Sequence, residues 1–262
     1  QNIEFDFRSA DGKADRLPAL AAELVRLKVD VIVALYVPSA LAAKQATQNI
    51  PIVIVAADPV EMGIVSSLAR PGANITGVSL MSAASNAKNI ELFREMLPSA
   101  RRVAMLGNSL DPIFAKAMFD EIRRAGGVTK TEIHPALMIR GPDDLEDAFS
   151  TMARERADAL VVQGSLVTKR LTDMAIKHRL PIASSTRAIA DIGGLMSFGV
   201  DGPAAVRHGA RFVQRVLQGR HPKDIPIEQP NKFELVINLK TAKALGLEVP
   251  PTLLARADEV IE

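Results

Sequence analysis

The chain has 262 residues, of which 48% are hydrophobic, and this length and composition suit one large domain or two ordinary ones with a packed core. The 32 Lys and Arg residues are scattered among 30 Asp and Glu residues, which disfavours a nucleic-acid partner, and the absence of cysteine excludes disulfides and thiolate chemistry. Uninterrupted apolar runs stay well short of the roughly 20 residues that span a bilayer, so we expect no membrane insertion.

Short β-branched runs alternate with amphipathic helical patterns along almost the whole chain. In chain order, the patterns predict strands over residues 3–8, 31–35, 52–55, 75–79, 102–106, 129–134, 159–163, 182–184, 195–198 and 232–238. They predict helices over residues 15–28, 39–48, 60–69, 83–96, 113–125, 142–156, 166–178 and 203–217. This alternation is typical of an α/β fold, in which helices cover both faces of parallel sheets. So many strands would strain a single open sheet, and we therefore expect two doubly wound sheets in two lobes.

Polar and glycine-rich stretches mark the places where the chain is expected to cross between the lobes. They lie near residues 80–86, 198–202 and 229–231. We expect residues 1–79 and 202–228 to form the first lobe and residues 80–201 to form the second. The lobe of residues 229–262, a crossover strand followed by helices, stays open.

Two long motifs carry a family resemblance. Residues 58–77 read DPVEMGIVSSLARPGANITG and follow the apolar run 52–55. Residues 233–247 read FELVINLKTAKALGL and precede VPP at 249–251 and ADEVI at 257–261. Both motifs resemble the corresponding stretches of a family of ABC-transporter substrate-binding proteins that includes tryptophan and tyrosine binders.

The resemblance implies a type I periplasmic-binding fold, with two lobes joined by a hinge that close on a small molecule. It also implies delivery of that solute to the permease subunits of an ABC importer, and export to the periplasm by a leader that is not present in this chain. Family members have a strand and a helix before the segment that matches residues 1–8, and we expect the middle strand of the first sheet to be missing here.

Candidate ligand-binding residues follow strands, because ligands of open α/β sheets bind at the carboxyl edge. In the first lobe, Tyr36 is expected to line a pocket or simply to pack. Ser39 is expected either to cap a helix or to face a ligand carboxylate together with the amides of Ala40 and Leu41. Asp58 is expected to bind a ligand ammonium or to cap the helix predicted after Pro59.

In the second lobe, small polar side chains follow several strands. The candidates there are Asn108, Gln163, Ser165, Ser185, Arg187 and Asp201. Asn108 matches a position where the family commonly has Asn followed by Pro, although Ser109 replaces that proline. Arg187 would either clamp a carboxylate or lie on the surface, and Asp201 would serve the hinge or the ligand.

We find no catalytic or metal motif: no phosphate-binding loop, nucleophile elbow or dinucleotide fingerprint follows a strand, and the four histidines lack metal spacing. The sequence therefore predicts a binding protein without cofactor or metal. The alternatives are a ligand-sensing domain of a receptor or regulator, and an enzyme on a doubly wound scaffold. The chain has no Trp and few aromatics, which disfavours sugars. We expect an amino acid or another organic carboxylate.

Overall fold

The computed structural model of the chain describes residues 3–11 and 13–262. The strands in this part are β1 (Ile32–Leu35), β2 (Ile52–Ala56), β3 (Ile75–Ser79), β4 (Arg102–Asn108), β5 (Glu132–Ile139), β6 (Ala159–Val162), β7 (Ile182–Ser184), β8 (Met196–Val200), β9 (Phe233–Asn238) and β10 (Glu259–Ile261). The helices are α1 (Leu17–Arg26), α2 (Tyr36–Ala46), α3 (Ser82–Met96), α4 (Pro112–Thr129), α5 (Leu145–Arg154), α6 (Lys169–Lys177), α7 (Ala188–Asp191), α8 (Gly202–Leu217), α9 (Leu239–Leu245) and α10 (Pro251–Leu254). The predicted α/β class is confirmed.

Two compact units divide the chain, and each is built from two separate segments. The first unit comprises Gln1–Leu80 and Pro203–Pro230, and the second comprises Met81–Gly202 and Asn231–Glu262. The chain therefore passes from one unit to the other at residues 80–81, 202–203 and 230–231. The C-terminal segment, whose lobe the sequence left open, belongs to the second unit.

The sheet of the first unit runs in the order β1-β2-β3, and its strands are parallel. Every residue of β2 and β3 is buried, as expected for a parallel sheet covered on both faces. A late segment of the chain extends this sheet beside β3, because the Glu228 amide donates to the Gly77 carbonyl at 3.0 Å and the Ser79 amide donates to the Glu228 carbonyl at 2.9 Å. The first unit therefore needs residues from both of its segments.

The predicted strand over residues 3–8 is wrong. These residues join no sheet, and the side chains of Ile3, Phe5 and Phe7 are 53%, 86% and 82% exposed. The strand β1 pairs with β2 along one edge only in the part of the chain that is described, and its Val33 and Leu35 side chains are 51% and 39% exposed. An alternating apolar pattern indicates a strand, but a strand forms only where a partner strand lies beside it.

The predicted helix over residues 60–69 is also wrong, since this segment is a series of turns. A single helical turn forms, in which the Met62 amide donates to the Asp58 carbonyl at 3.0 Å. Gly63 then adopts a left-handed φ of 67°, which ends the turn. The side chains of Met62, Ile64 and Val65 are nevertheless buried. Apolar spacing that suggested a helix face instead anchors a compact loop.

The sheet of the second unit is wider and runs in the order β10-β9-β8-β7-β6-β4-β5. Its strands are parallel except at the junction of β8 and β9, which pair antiparallel. The core between this sheet and α5 and α6 contains Phe149, Met152, Leu160 and Ile182, all almost fully buried. The C-terminal segment thus completes one side of the sheet with β9 and β10.

The boundary between α4 and β5 lies later than predicted, because α4 continues through Gly126 and Gly127 to Thr129 instead of ending at residue 125. A β-carbon at Gly126 would lie 2.4 Å from the Ile133 Cγ1 atom, so glycine here permits close packing against β5. The helix α4 has 18 residues, yet neither it nor any other helix in the described ranges is long and apolar enough to traverse a bilayer.

Candidate functional site

The carboxyl edge of the second unit's sheet gathers the polar residues that the sequence predicted there. The strands β8, β7, β6 and β4 are parallel neighbours in the sheet. Asn108 ends β4, Gln163 follows β6, and Ser185 follows β7. Because neighbouring strands lie about 4.8 Å apart, these residues form a row at one edge.

Asn108 organises the loop between β4 and α4. Its Oδ1 atom accepts a hydrogen bond from the Leu110 amide at 2.9 Å, and its Nδ2 atom donates to the Ser165 hydroxyl oxygen at 3.1 Å. Its own backbone amide donates to Gln163 Oε1 at 2.7 Å. Three of the predicted residues, Asn108, Gln163 and Ser165, are therefore joined by direct hydrogen bonds.

A half-buried carboxylate, Asp111, joins this cluster and was not among the residues predicted from the sequence. Gln163 is almost fully buried, and its Nε2 atom donates to Asp111 Oδ2 at 3.2 Å. Burial raises the pKa of the Asp111 carboxyl, and the nearby Phe114 backbone amide opposes that rise. An Asp directly before Pro112 at the start of α4 was the signal that could have identified it.

A second Asn–Ser pair joins α3 to the exit of β7. The Asn86 side chain is fully buried, and its Oδ1 atom accepts a hydrogen bond from the Ser185 amide at 2.9 Å. Its Nδ2 atom donates to the Ser185 hydroxyl oxygen at 3.0 Å and to the Ser82 carbonyl at 3.0 Å. The sequence predicted Ser185 but missed Asn86, which lies in the middle of an ordinary helical pattern and carries no local signal.

Two phenylalanines form an apolar surface beside Ser185. The rings of Phe198 and Phe233 stack with centroids 5.6 Å apart and planes inclined by 7°. Both side chains are half-buried, and Phe198 lies two residues before the carboxyl end of β8, the strand that neighbours β7. The sequence did not identify this pair, because it depends on the antiparallel register of β8 and β9.

Arg187 is engaged by carboxylates of its own unit. Its Nη2 atom lies 2.6 Å from Glu259, its Nη1 atom 3.6 Å from Glu234, and its Nε atom 3.4 Å from Asp191. The hydrogen bond to Glu259 raises the pKa of the arginine, and it lowers the pKa of Glu259 in return. This arrangement suits the surface interpretation of Arg187 and ties α7 to β9 and β10.

The helix that was expected to begin at Ser39 begins at Tyr36, so Ser39 is not a cap. Its hydroxyl donates to the carbonyls of Leu35 and Tyr36 within the first turn. Proline is tolerated in a first turn, and Pro38 therefore does not delay the helix. Ala40 lies beyond the four orphan amides of the helix start, and its side chain is fully buried. The expected helix start at Ser39 is therefore wrong, and a ligand contact at Ser39, Ala40 and Leu41 stays a prediction.

Tyr36 is exposed and adopts a left-handed φ of 67°, which is uncommon for a bulky residue. Asp58 follows β2, is half-buried and has a φ of 38°. The predicted role of Asp58 as a cap for the helix after Pro59 is wrong, because that helix does not form. Asp201 lies between β8 and α8.

In the first unit, a surface cavity of about 220 Å³ lies at the amino edge of the sheet, where its strands begin. Residues at its wall include Pro51 and Asn74, which precede β2 and β3, and Arg220 and His221, which follow α8. The amino ends of parallel strands are not where ligands of open α/β sheets bind. The hydrogen-bonded row at the carboxyl edge is therefore the better candidate.

The comparison with known families decides the relationship that the motifs suggested. The sequence model of the family described as "ABC transporter substrate binding protein" matches residues 1–261. The chain belongs to this family. This substrate-binding chain is 29% identical over 258 residues to a tyrosine-binding protein of Clostridioides difficile strain R20291, and the match covers 94% of this chain and 72% of that protein.

Solved structures share the fold of this family member. A conserved domain protein from Vibrio cholerae superposes with a TM-score of 0.92 at 25% identity, over 99% of this chain and 88% of that one. An ABC domain in complex with L-Trp from Streptococcus pneumonia superposes with a TM-score of 0.90 at 24% identity, over 98% of this chain and 87% of that one. The periplasmic-binding fold implied by the motifs is confirmed.

Proposed function

We propose that this substrate-binding protein captures a small organic carboxylate, such as an amino acid, outside the cytoplasm and delivers it to the permease of an ABC importer. The observation that carries the proposal is the row of hydrogen-bonded polar residues at the carboxyl edge of the second sheet. Ser165 and Ser185 lie in that row, and Asn108 and Asn86 hold their side chains in place.

The half-buried Phe198–Phe233 stack supplies an apolar surface next to the same edge. Ligand sites combine such a surface with a few polar groups that fix the orientation of the ligand. The similarity to a tyrosine-binding protein supports an amino acid, and an aromatic one in particular. In the first unit, the Tyr36 ring and the Asp58 carboxylate remain candidates for contacts with a solute.

Native mass spectrometry of the protein, purified without dialysis, tests the proposal. We expect a fraction of the protein to carry one small molecule, which chromatography of the denatured sample identifies as an organic acid. Titration of ligand-free protein with the proteinogenic amino acids and with aromatic acids should raise the unfolding temperature for the matching solute. If no small molecule is found and no acid stabilises the protein, the proposal fails. Turnover of the bound compound would also contradict it.

A further inference from the structure

The two Asn–Ser pairs define the direction of their hydrogen bonds. Asn86 Oδ1 accepts from the Ser185 amide at 2.9 Å, and Asn108 Oδ1 accepts from the Leu110 amide at 2.9 Å. A backbone amide can only donate, so each carboxamide has one possible orientation. The NH₂ groups of Asn86 and Asn108 must therefore face the hydroxyl oxygens of Ser185 and Ser165, at 3.0 Å and 3.1 Å. Both serine oxygens act as acceptors.

Each serine hydroxyl retains one hydrogen to donate. Within residues 3–11 and 13–262, neither Ser165 nor Ser185 donates its hydroxyl hydrogen to a protein acceptor. Ser185 is half-buried and Ser165 is exposed, so both hydroxyls reach the surface of the edge. The pairs thus present two hydroxyl donors, and a carboxylate is the common solute group that can only accept.

The two donors lie on neighbouring loops. The strands β6 and β7 are adjacent, and Ser165 and Ser185 follow their carboxyl ends. The loops touch, since a β-carbon at Gly164 would lie 3.4 Å from Thr186 Cγ2. Adjacent strands are about 4.8 Å apart, which places the two loops within reach of one small solute.

We propose that Ser165 and Ser185 donate their hydroxyl hydrogens to the carboxylate of the solute, so that the second unit recognises its acid end. This inference rests on the proposed function, and it moves the expected carboxylate contact away from Ser39, whose hydroxyl is bonded inside α2. The nearby Arg187 does not take this role, because its guanidinium is bonded to carboxylates of its own unit.

Paired ligands that differ only in the acid group test the inference. The probes are L-tyrosine, L-tryptophan, L-phenylalanine and benzoate, each with its counterpart tyramine, tryptamine, phenethylamine or benzamide. Thermal shift and calorimetry are run on wild type, S165A and S185A, with S165T and S185T as controls that keep the hydroxyl. We expect wild type to prefer the acid of a pair, and each alanine variant to lose about 10-fold in affinity for that acid. Affinity for the counterpart should not change.

The preference for the acid over its counterpart is the decisive quantity, because a purely structural role for the serines would weaken both members of a pair equally. Counterparts that bind wild type as tightly as the acids would overturn the inference and leave the proposed function standing. Alanine variants that keep the wild-type preference would do the same. If no member of either set binds wild type, the inference fails for aromatic acids, and the wider titration with all proteinogenic amino acids decides the proposed function separately.

Discussion

The backbone of β8 at Gly199 lies directly against the carbonyl of Ser185. A β-carbon at Gly199 would be 1.9 Å from the Ser185 carbonyl oxygen and 2.9 Å from its carbonyl carbon, distances that no side chain can occupy. Asn86 holds the amide and the hydroxyl of the same serine from α3. Ser185 is therefore fixed from two sides, and its position depends on a glycine in the neighbouring strand.

The variant G199A should displace Ser185 and destabilise the second unit. Overpacking a tight site typically costs about 1–3 kcal/mol, and we expect a lower unfolding temperature together with weaker binding of the solute. The matched control is G127A, because a β-carbon at Gly127 meets nothing within 4 Å and the residue lies inside α4. This control should leave the unfolding temperature unchanged or raise it. Equal effects of the two variants would contradict the close contact.

The variant D58N tests whether Asp58 binds a ligand ammonium. A carboxylate bonded to an ammonium contributes roughly 1.5–3 kcal/mol, so we expect at least about 10-fold weaker binding of L-phenylalanine. Binding of hydrocinnamate, which lacks the amine, should change far less. Calorimetry with both ligands measures the difference, and D30N, on the loop before β1, serves as the control. Equal losses for both ligands would show that Asp58 acts only on the loop structure.

The variant F198L tests the aromatic surface. It keeps an apolar side chain but removes the ring stack with Phe233, and aromatic pairs contribute about 0.5–1.5 kcal/mol beyond burial. We expect several-fold weaker binding of L-tyrosine and unchanged binding of L-alanine, if L-alanine binds. The control F149L removes a ring from α5 that packs against the His178 ring after α6, near the amino end of β7. An F198L protein that binds L-tyrosine like wild type would exclude the stack from the site.

The raised pKa of Asp111 has a consequence for stability. The folded protein holds the Asp111 proton more tightly than the unfolded chain, so the contribution of this group to stability falls as pH rises above about 3.9, the ordinary pKa of Asp. D111N keeps an oxygen that can accept from Gln163 and removes the titration. Its unfolding temperature relative to wild type should therefore increase from pH 4 to pH 7.

The control variant for this experiment is D120N, whose unfolding temperature should depend on pH in the opposite direction. Lys116 donates to Asp120 and lowers the pKa of that carboxyl, so ionised Asp120 stabilises the fold above its unfolded pKa, and that contribution is lost as pH falls. The unfolding temperature of D120N relative to wild type should decrease from pH 4 to pH 7. Parallel pH profiles for D111N and D120N would contradict the burial of Asp111.

Local patterns in the sequence were sufficient to predict the buried strands β3 and β7. The runs that form β3 and β7 are short and consist mostly of apolar or small residues, and their predicted bounds are those of the structure. The turn at Gly63 and the start of α2 at Tyr36 were not predictable in this way, because each depends on a left-handed residue inside an apolar pattern.

The contacts that build the site are less accessible to sequence reasoning. Asn86 and Ser185 are 99 residues apart in the chain, and Phe198 meets Phe233 only through the register of two antiparallel strands. Ser185 and Asn108 were identified as candidates because they lie at the carboxyl ends of predicted strands, and the ends of parallel strands meet at one edge of the sheet. They could not indicate which buried side chain would hold each of them.

The division of each unit into two segments also shapes how the chain acquires its structure. Glu228 can pair beside β3 of the first sheet only after most of the second unit has been synthesised. In the second unit, one edge of β8 remains unpaired until β9 has been synthesised. Contacts between such distant residues are slow to form, because a long loop must close before they stabilise anything. The first unit is complete only when the chain has been synthesised to residue 230, and the second unit needs residues beyond 230. We therefore expect a chain of this connectivity to remain incompletely folded for most of its synthesis, a state that is compatible with the proposed export through a membrane.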